Sequence, residues 1–157
     1  SLNGTTSTQS AINPCPPGTY CINGVMRLCP AGVYASNYAS TSAQCDGQCS
    51  AGYYCPIGSS EMTPCPAGVY GSKVGASLSK CSGSCSPGYY CPLASTFSKQ
   101  IECGGEYLYC TLKSASPVGV ALNYFSIGGN SLTRSGQSLC KLIPGRSQSC
   151  PSNTRTV

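Results

Sequence analysis

Apolar residues stand along this chain in ones and twos, each cut off within a few positions by Gly, Pro, Ser or Cys. No window sustains the i, i+3, i+4, i+7 spacing that an amphipathic helix requires. No apolar run approaches the ~20 residues that cross a bilayer as a helix. What remains are short alternating pieces, Val33-Tyr34, Tyr53-Tyr54 and Val118 to Ser126, which predict strands of two or three residues. Cys-Pro-x-Gly opens at Cys15, Cys29 and Cys65, the second directly before Val33-Tyr34. This predicts a β-turn with Pro at the second position, where its fixed φ fits, and Gly at the fourth. Residues 1–14 have neither cysteine nor hydrophobic period and read as an extended or flexible arm.

The pattern recurs. The segment from Cys29 to Pro64 and the one from Cys65 to Gln100 agree without gaps at 17 of 36 positions, all four cysteines included. A fixed period of this size is the mark of one small unit used several times. The chain therefore divides into the arm (1–14), a half repeat (15–28), two full repeats (29–64 and 65–102), a half repeat (103–116) and a degenerate repeat (117–157). In the last, Tyr124-Phe125-Ser126 matches Tyr70-Gly71-Ser72. That alignment sets Gly119 at the Cys65 position, Cys140 at Cys81 and Cys150 near Cys91. The expected fold is small, disulfide-rich, all-β or irregular: an elongated tandem array of short β-ladders with a repeat of about 36 residues.

Composition explains how so polar a chain can hold a shape. Ile, Leu, Val and Phe together number 25 of 157 residues and Trp is absent, little for a conventional core. Fourteen cysteines, about 9% of the chain, make a disulfide scaffold the expectation. Zinc sites favour C-x2-C knuckles, often with His. This chain has no histidine and shows C-x5-C, C-x3-C and C-x15-C instead, so no metal or other cofactor is expected. Persistent disulfides imply an oxidising, extracytoplasmic compartment. Two pairings stay open. One joins neighbours: Cys15–Cys21, Cys29–Cys45, Cys49–Cys55, Cys65–Cys81, Cys85–Cys91, Cys103–Cys110 and Cys140–Cys150. The isolated C-x5-C half unit supports it. The other interleaves first with third and second with fourth, which suits the cysteines lost from the degenerate repeat.

Charge and chemistry narrow the function by exclusion. The net charge of +5 comes from nine scattered basic residues, not the stripe or patch that nucleic acid needs. The acids are Asp46, Glu61, Glu102 and Glu106. Glu102 and Glu106 flank Cys103 without further polar machinery, and there is no histidine to act as a base, so no catalysis is expected. Asn3-Gly4-Thr5 is the one N-glycosylation acceptor. Tyr53, Tyr54, Tyr89 and Tyr90 recur at the same place in consecutive units. Strand alternation predicts one ring of each pair over the adjacent disulfide and the other facing out, as a contact ladder for another chain or for sugars. The chain has no initiator Met or signal peptide, and Cys150-Pro151 reads as the opening of a further unit, so a larger parent protein is expected.

The segments Cys29-Pro30-Ala31-Gly32-Val33-Tyr34, Cys65 to Tyr70, Gly52 to Pro56 and Gly88 to Pro92 resemble the ephrin-receptor-like cysteine-rich repeats of large extracellular proteins. They are more distantly similar to the first submodule of tumour-necrosis-factor-receptor cysteine-rich domains. The resemblance covers residues 15–110 well and 111–157 loosely. It implies a secreted or surface-displayed modular protein and brings no catalytic residues. Two functions follow as expectations: a glycosylated structural block of a surface fibre, appendage or matrix that self-associates or binds other extracellular proteins, or the ligand-binding ectodomain of a receptor.

Overall fold

The structure, a computed structural model, describes residues 13–141, 144–145 and 150–156. Its regular elements are seven two-stranded antiparallel ladders, and no helix occurs among the described residues. Thr19–Ile22 (β1) pairs with Val25–Leu28 (β2) and Val33–Tyr34 (β3) with Gly47–Gln48 (β4). Tyr53–Tyr54 (β5) pairs with Thr63–Pro64 (β6), and Val69–Tyr70 (β7) with Gly83–Ser84 (β8). Tyr89–Tyr90 (β9) pairs with Ile101–Glu102 (β10) and Leu108–Tyr109 (β11) with Val118–Gly119 (β12). Last, Tyr124–Ile127 (β13) pairs with Gly136–Leu139 (β14). The stretch Val118 to Ser126, expected to hold short strands, serves two ladders. The protein is a small, disulfide-rich, all-β fold built on a recurring hairpin.

The seven disulfides join neighbours: Cys15–Cys21, Cys29–Cys45, Cys49–Cys55, Cys65–Cys81, Cys85–Cys91, Cys103–Cys110 and Cys140–Cys150. They are also most of the interior. Cys29, Cys49, Cys55, Cys65, Cys85, Cys91 and Cys110 are fully buried, whereas the buried aliphatic side chains are few, Val69 and Val120 among them. Around Cys29 the core is Tyr20 and Ala35, flanked by Val33, Ala43 and Cys45.

The chain divides into two compact units. One holds the residues up to Cys65 with Gly71–Cys81; the other holds Pro66–Tyr70 and the residues from Ser82 on. Both are built from a half repeat: an opening cysteine, a turn, a short strand and its return. Within the first unit the turn glycine donates its N–H to the half repeat that follows, Gly18 to Ala35 O (2.8 Å), Gly32 to Cys55 O (2.8 Å) and Gly52 to Gly71 O (2.7 Å). The same glycines accept from the next opening cysteine: Cys29 to Gly18, Cys49 to Gly32 and Cys65 to Gly52. In the second unit Gly68 donates to Cys91 O and Gly88 to Cys110 O, and Cys85 and Cys103 donate back.

The turn sits one residue later than the sequence predicts. Val33 N–H donates to Pro30 O and Val69 N–H to Pro66 O, so Pro opens the turn and Gly is its third residue. That position takes a positive φ in a type II turn. Gly32 has φ +91° and Gly68 +88°.

Strand register also corrects the alignment of the degenerate repeat. The residue before an opening cysteine pairs with the first strand residue, as Ser84 does with Val69. Leu139, before Cys140, pairs with Tyr124, so Tyr124 takes the place of Val69 and Phe125 that of Tyr70. Asn123 then stands for the turn glycine. It has φ +65°, accepts from Cys140 N–H and donates to Arg155 O. In the preceding ladder Gly119 pairs with Leu108, which sets Val120, not Gly119, at the opening-cysteine position. Val120 is fully buried, as the cysteines are. Cys140 corresponds to Cys85, and the place of Cys81 falls to Gly136. The two missing cysteines are therefore partners in one bridge, which removes the reason for an interleaved pairing.

Candidate functional site

The first hairpin, β1–β2, carries four exposed large apolar side chains within seven residues. Asn23 and Gly24 form its two-residue loop with φ of 51° and 74°. Positive φ at both positions is the signature of a type I′ turn, whose twist suits a hairpin. The Asn-Gly dipeptide between Ile22 and Val25 carries that signal in the sequence, although it lies outside the repeated pattern. Thr19 and Tyr20 at the start of β1 are buried, yet Ile22, Val25, Met26 and Leu28 are 42%, 52%, 61% and 55% exposed. Leu28 lies close to Gly58, beside exposed Ile57.

The backbone polarity of this hairpin follows from one bond. Cys29 N–H donates to Gly18 O, continuing the β1–β2 register. In an antiparallel pair, residues alternate between exchanging hydrogen bonds with the partner strand and turning their polar groups away. Arg27 and Val25 therefore bond inward to β1. Met26 and Leu28 point their N–H and C=O outward, and among the described residues those groups have no partner. On the other side of the hairpin, Cys21 N–H finds Ser40 O at 2.9 Å. Among the described residues the inner edge is bonded and the outer edge is open.

The four tyrosines do not divide into one covered and one outward ring. Tyr53 and Tyr54 are both half-buried, and so are Tyr89 and Tyr90. A two-stranded ladder has no second layer over either face, so alternation gives two half-covered sides instead of an inside and an outside. The first pair belongs to one unit and the second to the other. Lys99 Nζ lies 5.7 Å from the centre of the Tyr89 ring, a cation–π contact. The acceptor Asn3 lies outside the described residues.

The acids are placed apart. Asp46 organises the loop after β3: its Oδ2 accepts from the Ser36 N–H (2.7 Å) and hydroxyl (2.9 Å) and from the Asn37 N–H and side-chain amide, both at 3.1 Å. The Ser36 hydroxyl, followed by the Asn37 and Ser36 N–H groups, holds this exposed carboxyl below its ordinary range. In the next repeat Ser82 takes its place. Glu102 lies exposed in β10, while the Glu106 carbonyl accepts from the Ser126 hydroxyl. Beside Cys140–Cys150 a hollow of about 490 Å³ is lined by Asn123, Leu139, Lys141, Thr154 and Thr156. The Thr154 hydroxyl there is buried without a partner among the described residues. Among the described residues no three acidic or cysteine side chains are grouped to hold a metal ion.

Every cysteine is bridged, the disulfide content of an extracellular protein. No helix among the described residues is long and apolar enough to cross a membrane. Comparison of the chain with protein-family models and with curated proteins finds no match.

Proposed function

We propose that this chain is a non-enzymatic, extracellular structural repeat protein, a glycosylated building block of a surface fibre, appendage or matrix. The observation that carries the reading is the pairing of a cystine-held scaffold with an open, apolar strand edge. Large apolar side chains stand outward at Ile22, Val25, Met26 and Leu28 while the interior is largely sulfur. Exposed apolar surface of this kind marks a contact with another chain. Resemblance to ephrin-receptor-like repeats supports an extracellular modular setting. The four acids are dispersed and the chain has no histidine, which supports a binding over a catalytic role.

Electron microscopy of the purified, oxidised protein tests the proposal. Ordered filaments or sheets are expected. Discrete monomers that bind a soluble ligand would replace this reading with that of a receptor ectodomain.

A further inference from the structure

We infer that β2 is a strand-addition site and that its occupant is the β2 of a second copy, related by a two-fold axis perpendicular to the hairpin. The inference rests on the associating role proposed above and adds to it the surface and the register.

Four features of this edge converge. Among the described residues, the outward N–H and C=O groups of Met26 and Leu28 have no partner, and they form the row to which an added strand bonds. All four β2 side chains are exposed, so nothing among the described residues covers the edge. Of the usual guards against pairing the strand carries only one charge, Arg27; it has no proline and no bulge. Finally, the edge is complementary to itself in one register.

That register follows from symmetry. A two-fold axis perpendicular to a sheet keeps each residue and its copy on the same face, so two antiparallel β2 strands must meet about a residue that faces itself. Centring on Arg27 would oppose two like charges, which is destabilising. It would also bring together groups already bonded to β1. Centring on Leu28 would set Met26 opposite Pro30, which has no N–H to give, whereas centring on Met26 brings outward groups together with no proline in register. The two Met26 residues exchange both hydrogen bonds, and Leu28 of each copy bonds the Gly24 end of the other. Arg27 then lies opposite Val25. The face that holds Cys21, Met26 and Leu28 becomes a continuous apolar band across four strands, β1–β2–β2–β1, with Ile57 at each flank. The contact is isologous, so it closes at a dimer. Growth of a fibre would need a second surface.

Sedimentation velocity over a range of concentrations, with all bridges intact, tests this. The wild-type chain should dimerise reversibly. Met26→Lys sets two ammonium groups face to face, and Met26→Pro removes an N–H that the monomer does not use while leaving the β1–β2 bonds in place. Both should weaken the dimer by more than about tenfold. Hydrogen exchange adds a positional signature: association should protect the Met26 and Leu28 amides, with Val25 and Arg27 already protected in the monomer. A wild-type chain that stays monomeric overturns the inference, as does a dimer that both variants leave unchanged. Filaments that persist in Met26→Lys would overturn it while leaving the fibre reading intact. A β2-dependent dimer that never forms filaments would do the reverse.

Discussion

Glycine at the third turn position is forced twice over. At Gly32 and Gly68 φ is strongly positive, and a Cβ would stand 2.5 Å from the carbonyl oxygen of Gly75 and Lys113 respectively. Those oxygens are backbone and have no room to yield. Gly32→Ala or Gly68→Ala should therefore destabilise the fold by roughly 1–3 kcal/mol, read by denaturant unfolding with disulfides intact. Val120 makes the complementary case. It fills with carbon the place that sulfur fills elsewhere, and Val120→Ala should cost about 2 kcal/mol through lost burial and the cavity left behind. Asp46 links the same scale to pH. Its carboxyl is held below the ordinary value of 3.8, so the charged form is favoured by the fold. Its contribution is complete above that value and is lost as pH falls through the lowered one. Hydrogen exchange should show the Ser36 and Asn37 amides losing protection in that acidic window, and Asp46→Asn should abolish the pH dependence.

Element by element, what could be read in advance was what repetition made redundant. Cys-Pro-x-Gly-x-Tyr occurs often enough that its turn and strand were evident, and the lone Cys15 to Cys21 half unit pointed to neighbour pairing. Single occurrences were harder. Asn23-Gly24 appears once, outside the repeat register, although its chemistry demands a hairpin. Replacing Gly24 with Ala places a Cβ at φ +74° and should cost about 1 kcal/mol, seen as faster exchange of the Arg27 and Val25 amides. In the degenerate repeat an alignment anchored on tyrosine falls one residue out of register. Backbone register anchors instead on the turn residue, and there Asn123 substitutes for glycine by tolerating the left-handed region. In the tyrosine pairs both residues are half-buried. In and out have meaning for a strand only when a layer packs on one face, and a two-stranded ladder lacks one.

For the whole molecule, the decisive quantity is the balance between apolar burial and cross-linking. Full burial of a large aliphatic side chain stabilises by roughly 1.5–3 kcal/mol, and such residues are few here. A bridge closing a loop the size of Cys29–Cys45 or Cys65–Cys81 contributes roughly 3 kcal/mol by restricting the unfolded chain, and seven are present. Removal of the bridges should thus leave too little burial to offset chain entropy. The most direct measurement is a proton–nitrogen correlation spectrum recorded before and after complete reduction and alkylation under otherwise native conditions. Dispersed amide signals in the oxidised protein that collapse to the narrow range of an unfolded chain are the expected result. Dispersion that survives alkylation would contradict the claim that cystines hold this fold.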